Sequence, residues 1–178
     1  MSVGQVQRFT ALLALLAGGG AVLLAVARFV PAARALVAAV HDAALWIAWL
    51  VAAVAMTGSL YFSEHAHYVP CRLCWFQRIA MYPLAVILLV AAMRRDRGAR
   101  WYALPLAGTG IVISTYHYLI EWHPEWEATS CDPTAPCTVP YFREFGFVSL
   151  ALMALCGFAA IIVVLTFPRA FEEQQADG

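Results

Sequence analysis

Four of the five cysteines fall in two close pairs, Cys71 with Cys74 and Cys131 with Cys137. The first pair lies in Pro70-Cys71-Arg72-Leu73-Cys74-Trp75-Phe76-Gln77-Arg78, a Cys-x-x-Cys at the head of an apolar run. Thiols spaced this way on one helical turn approach closely enough to bridge. The unpaired N–H groups of a helix start favour the thiolate, which is the reactive form. The second pair lies in Ser130-Cys131-Asp132-Pro133-Thr134-Ala135-Pro136-Cys137, where Asp-Pro and Pro136 predict turns. Two pairs of this kind can hand electrons to one another by thiol–disulfide exchange. Two blander readings compete with that relay. Each pair can be an inert staple of an oxidising compartment, or four cysteines can hold zinc, although the wide second spacing fits the tight zinc knuckle poorly.

Two more residues belong with the first pair. Arg78 follows Cys74 by one helical turn and shares its face. A charge inside an apolar helix is costly, so it needs either a partner or a snorkelling path to the headgroups. Beside a Cys-x-x-Cys, a guanidinium can stabilise a thiolate or hydrogen-bond a quinone carbonyl as charge develops on it. His117, in Ser114-Thr115-Tyr116-His117-Tyr118, lies one turn from the end of another apolar run. It can donate to a quinone oxygen or carry its proton, or simply bond a neighbouring helix. Cys156 stands alone mid-run and reads as a small packing residue.

The elements that must position these groups are membrane helices. Of the 178 residues, 63% are hydrophobic and 12% charged, which excludes an ordinary soluble domain. The net charge is zero, with 11 basic and 11 acidic side chains, and every basic one is Arg. No basic patch of a nucleic-acid binder is present. Segments 43–62, 75–93, 101–120 and 145–167 are long and apolar enough to span. A fifth, 9–30, carries Gly18-Gly19-Gly20 and Arg28; it reads as an additional N-terminal spanning helix, with an interfacial helix or, since Arg8 precedes the apolar run, a signal-peptide-like segment as the alternatives. The fold class is therefore an all-α integral membrane protein. Arg94, Arg95, Arg97 and Arg100 crowd one short link and mark it as cytoplasmic. The acidic stretch 121–144 and the link 63–70 then face outward, carrying both cysteine pairs into an oxidising compartment. The same alternation puts 31–42 and the C-terminal tail inside and the N-terminus outside. Trp75, Trp101, Trp122, Trp126 and Tyr141 read as an interfacial aromatic belt. The loop holding Cys131 and Cys137 is expected to present a disulfide to a soluble partner and then swing back over Cys71 and Cys74.

Taken together, Pro70-Cys71-x-Leu73-Cys74-Trp75-Phe76-Gln77-Arg78-x-x-Met81-Tyr82-Pro83-Leu84 resembles the hallmark of the disulfide bond formation protein DsbB family, in its BdbC-like branch. Tyr116-His117-Tyr118, Cys131, Cys137 and Phe145-Gly146-Phe147 at the opening of the last span fit the same branch. The resemblance implies a four-helix transmembrane bundle over 41–168, with 1–40 as an N-terminal extension and 169–178 as a cytoplasmic tail. It implies a bacterial cytoplasmic membrane enzyme that reoxidises a thioredoxin-fold thiol oxidase of the DsbA or BdbD kind. Cys131 and Cys137 match the pair that exchanges with that partner. Cys71 and Cys74 match the pair that reduces quinone, ubiquinone or menaquinone, with Cys74 nearest the ring. Arg78 and His117 match residues of the quinone site. The N-terminal extension departs from the family pattern. A quinone reductase of the vitamin K epoxide reductase type is the rival enzyme, but a Cys-x-x-Cys at the start of so early a helix argues against it.

Overall fold

A computed structural model describes residues 2–128, 131–132 and 134–166. Ser130, Pro133, Phe167 and the expected tail 169–178 lie outside the described residues. The described part is helical: α1 (Val3–Ala27), α2 (Arg34–Leu60), α3 (Arg72–Arg94), α4 (Arg100–Trp122) and α5 (Leu150–Leu165). The first four are long and apolar enough to cross a membrane, and α5 is a shorter apolar helix. Successive helices run antiparallel. Helices α2, α3, α4 and α5 pack each on the next, and α5 closes back on α2, which makes a four-helix bundle. Helix α1 lies outside this ring, chiefly against α5.

Small residues let the helices approach, as expected where lipid offers no hydrophobic drive and packing must do the work. Ala44, Ala48 and Ala52 recur at helical spacing on α2, and Ala103 and Ala107 do so on α4, all buried in one core with Leu84, Leu88, Phe158 and Ile161. Gly110 continues the α4 stripe. A Cβ there would run into the ring of the fully buried Phe158 on α5. Gly110→Ala should therefore destabilise the bundle by about 1–3 kcal/mol through overpacking. Thermal unfolding in detergent checks this, and an unchanged midpoint would mean that α4 and α5 do not meet at Gly110. The three consecutive glycines of α1 do not break it. The first of them, Gly18, is needed for close approach, because a Cβ there would come within 2.8 Å of Cys156 Sγ. That contact gives Cys156 the packing role its sequence context suggested.

Several expected boundaries move. Helix α2 begins at Arg34 rather than 43, so His41 and Asp42 are helical instead of lying in a link. Asp42 Oδ1 sits 3.5 Å from Arg97 Nη2. Hydropathy marks the lipid-facing part of a helix, whereas backbone hydrogen bonds carry it further. At its other end α2 runs on into a π-helical turn, Tyr61–His65, which shortens the expected link 63–70. The last helix starts later than 145. Phe145 and Gly146 have φ of 54° and 83°, which no right-handed helix accommodates. Phe145-Gly146-Phe147 is instead a turn closed by the Glu144–Val148 bridge, and Ser149 Oγ caps α5 by accepting from the Leu152 N–H. With this antiparallel order, the start of α1, the end of α2, the start of α3, the end of α4 and the described residues between 123 and 149 gather at one end of the bundle. Arg94, Arg95, Arg97 and Arg100 gather at the other.

Candidate functional site

Cys71 is the N-cap of α3. Its backbone is extended, with φ −67° and ψ 168°, and its sulfur accepts the N–H of Cys74 at 3.2 Å. This is the place where a helix usually puts a serine or aspartate oxygen, so the sulfur takes over the satisfaction of a free backbone donor. The cap position also sets a negative sulfur at the positive end of the helix. The Cys71 thiol is lowered from 9.0 to about 5, foremost because the Cys74 thiol donates to it. Burial opposes the shift, while the hydrogen bond and attraction from His117 assist it. At neutral pH the pair therefore holds one proton fewer than two free thiols would.

His117 belongs to this pair. Its Nε2 is 3.7 Å from Cys71 Sγ and its Nδ1 is 3.3 Å from the amide nitrogen of Gln77. One tautomer satisfies both, with Nε2–H donating to the sulfur and Nδ1 accepting from Gln77; this assignment follows from the network. His117 is not among the residues lining the cavity described below. The structure thus sets it beside the thiol pair, bonded to α3 through Cys71 and Gln77, in keeping with the reading of a histidine that bonds a neighbouring helix. Because a lowered thiol pKa means thiolate above that pH, loss of the ring should move the lowest thiol transition upward from about 5. His117→Ala followed by ultraviolet thiolate absorbance checks this. Cys74→Ala should move it further, since the Cys74 donor is the larger cause. A His117→Ala transition coincident with wild type would remove the ring from the sulfur.

The second pair is a disulfide, Cys131–Cys137, and it is seated on the first. Cys71, Leu73, Ile120 and Cys137 form one buried cluster, with Cys74, Tyr116 and Cys131 packed against it. Cys137 is 1% exposed, whereas Cys131 is only half-buried. The loop is tied down at both ends by tyrosines of α4. Tyr116 donates to Trp126 O at 3.2 Å and accepts from the Ala128 N–H at 2.8 Å. Tyr118 donates to Phe147 O at 3.1 Å. In this arrangement the disulfide needs no long swing to meet Cys71.

Cys74 faces the other way, into a cavity of about 290 Å³. Its walls come from α1, α2, α3 and α5, and they are apolar apart from Ser59, Gln77, Arg78 and a few hydroxyl groups. Arg78 is anchored there: Nε donates to Ser59 Oγ at 2.9 Å and Nη2 to Ser59 O at 3.0 Å. Its guanidinium also lies 5.4 Å from the centre of the Trp75 ring. Over the thiol end of the cavity, Tyr68 stacks between Tyr141 at 4.3 Å and Phe62 at 5.8 Å, and the Tyr141 hydroxyl donates to Val69 O. Tyr141 thus helps to hold the segment carrying Cys71, beyond the interfacial role read from sequence.

Sequence reasoning passed over Gln77, Tyr68 and Glu121. Gln77 is polar inside an apolar helix, which was the available signal. Glu121 was read as part of the outer loop, yet it is buried in the last turn of α4. One of its carboxylate oxygens has no hydrogen bond among the described residues, and Arg143 bonds its backbone carbonyl. As for metals, Cys71, Cys74 and His117 offer ligand atoms within 4.8 Å of one another. Cys131 and Cys137 are bonded to each other, so they complete no four-cysteine set with the first pair.

The family described as disulfide bond formation protein DsbB matches residues 41–168. Disulfide bond formation protein C of Bacillus subtilis (strain 168) is 43% identical over 122 residues, which cover 68% of this chain and 88% of that protein. A probable disulfide formation protein of Oceanobacillus iheyensis is 42% identical over 122 residues, covering 67% and 84%. One from Deinococcus radiodurans is 41% identical over 139 residues, covering 72% and 90%. No solved structure matches the chain.

Proposed function

The chain belongs to the disulfide bond formation protein DsbB family, and from that premise we propose that it is a membrane thiol:quinone oxidoreductase. In this reading it reoxidises a thioredoxin-fold dithiol oxidase in a bacterial cytoplasmic membrane, with both cysteine pairs facing outward and the arginine-rich end inside. The observation that carries the reading is the continuity of the site. A disulfide with one buried and one half-buried cysteine packs on Cys71 and Cys74, and that pair opens through Cys74 into an apolar cavity holding an anchored arginine.

The steps balance as disulfide exchanges. A partner thiolate attacks Cys131, the more accessible cysteine of the loop disulfide, and Cys137 leaves as thiolate beside Cys71. The partner's second thiol resolves the mixed disulfide and departs oxidised, leaving Cys131 and Cys137 reduced. Those two then reduce a Cys71–Cys74 disulfide and re-form their own. Cys71 and Cys74, now thiols, give up two electrons and two protons as they bond again. The quinone class supplies the two-electron, two-proton acceptor chemistry that no side chain offers. The proton shared between the sulfurs can sit on either. Its move from Cys74 to Cys71 puts the thiolate on the sulfur that faces the cavity. His117 holds Cys71 in place and can carry the remaining proton. Arg78 presents the donors not used by Ser59 to a carbonyl oxygen in the cavity. The apolar walls and small polar set suit a quinone ring with an apolar tail.

The test is a thiol count. The fully reduced protein has five thiols. Given quinone without oxygen, then quenched in acid and alkylated, it should fall to one, Cys156, with quinol appearing. If five persist and the quinone is untouched, the oxidoreductase reading fails. The four outer cysteines would then be structural.

A further inference from the structure

Helix α1 precedes the family match, which begins at residue 41. It nevertheless forms one wall of the cavity, through Thr10, Leu13, Ala14 and Ala17. Those positions fall at the i, i+3, i+4, i+7 spacing of a single helical face. Their register is fixed by contacts along the helix. Gln7 Nε2 donates to the Tyr68 hydroxyl at 2.7 Å, which ties α1 to the aromatic stack above the cavity. Arg8 Nε lies 3.5 Å from Glu144 Oε2, next to the turn that opens α5. Lower down, Gly18 sits against Cys156 of α5. A helix fixed at both levels is part of the cavity rather than an accessory to it.

The wall from α1 is apolar. The Thr10 hydroxyl donates within its own helix, to Val6 O at 2.7 Å and Gln7 O at 3.1 Å. The other three residues carry no polar side-chain atom. Across the cavity, α3 and α2 carry Cys74, Gln77, Arg78 and Ser59. The cavity is therefore two-sided, polar around Cys74, Gln77 and Arg78 and apolar toward α1 and α5. An amphipathic occupant would put its oxygens at Arg78 and its hydrocarbon along α1. Small side chains at Ala14 and Ala17 leave the room for that hydrocarbon.

We propose that α1 is a specificity-determining wall that holds the prenyl tail of the quinone, with Ala14 and Ala17 setting the space for it. This rests on the quinone reading above. The tail gains affinity by burying apolar area on α1, while ring recognition remains with α3.

The test is equilibrium binding to the oxidised protein, which has no thiol pair free to react, read by quenching of tryptophan fluorescence. The probes are a dimethoxy-methyl-benzoquinone without a tail and the same ring carrying two isoprene units. Ala14→Phe, which fills the tail side, should weaken the prenylated quinone by about tenfold or more while changing the tailless ring less than about twofold. Leu16→Phe places the same ring on the lipid-facing side of α1, where Leu16 is 71% exposed. It should alter neither affinity, which guards against a general disturbance of α1. If Ala14→Phe weakens both quinones equally, or neither, α1 is not the tail wall and the proposal is overturned. Wild type that binds neither probe would instead overturn the quinone reading itself.

Discussion

Cys74→Ser protein is expected to stop reducing quinone altogether and to accumulate a new disulfide between Cys71 and Cys137. Cys74 is the sulfur that opens into the cavity, and a hydroxyl in its place cannot close a disulfide or release an electron pair. Removing one member of a catalytic set that acts as a unit costs nearly the whole rate, so turnover should drop to background. The serine hydroxyl can still donate to Cys71, so Cys71 should keep its thiolate character. That thiolate packs in the same buried cluster as Cys137. It can attack Cys137 Sγ, and Cys131, the half-exposed partner, then leaves as thiolate. The number of free thiols is unchanged by this exchange, but their identity is not. Without Cys74 no forward attack resolves the Cys71–Cys137 bond, and only return of the Cys131 thiolate, which acid quenching stops, can undo it. Peptide mapping after acid quenching should recover that bond, with Cys131 alkylated. A bond from Cys71 to Cys131 instead would contradict the order of attack proposed here, and normal quinone turnover would remove Cys74 from the reaction.

The bundle and the thiol pairs were legible in the sequence because they rest on local signals. Charge-free runs mark the helices, and four arginines in one link set which ends lie together. A Cys-x-x-Cys after Pro70 marks a helix start, and the N-cap geometry of Cys71 follows from it. Helix α1 was expected despite its glycines, and the packing of Gly18 on Cys156 explains why they are there. What could not be read were the meetings between distant segments. Gln77 and His117 are forty residues apart, and only the packing of α3 on α4 makes them one network with Cys71. Tyr116 and Tyr118 stood out in the sequence only as neighbours of His117, yet their hydroxyls hold the loop of the second pair over the first. The start of α5 was misread because hydropathy does not register the positive φ of Phe145 and Gly146. The cavity itself needs four helices at once, so no spacing along one segment could reveal it.

Arg78→Met should lower kcat/KM for quinone by about 10²- to 10³-fold, the scale seen when a preorganised donor to a developing oxyanion is lost. The substitution keeps much of the apolar stem and so leaves the helix packing. It removes a charge and five N–H donors. Two of those donors are engaged by Ser59, so part of the role of Arg78 is to tie α3 to α2. The rest are left for the cavity. The two contributions can be separated. Exchange of the Cys131–Cys137 disulfide with a small dithiol takes place at the loop and should be unchanged. Ser59→Ala loses the contact from Nε but keeps the backbone carbonyl that Nη2 uses, so it should be much milder than Arg78→Met. Arg78→Lys restores a charge without the planar fork and should recover only part of the lost rate. Charge alone would be enough if lysine matched arginine. If Arg78→Met reduced quinone as fast as wild type, the guanidinium would be a structural tie between two helices. The electron acceptor would then have to be recognised by the backbone, Gln77 and the apolar walls without it.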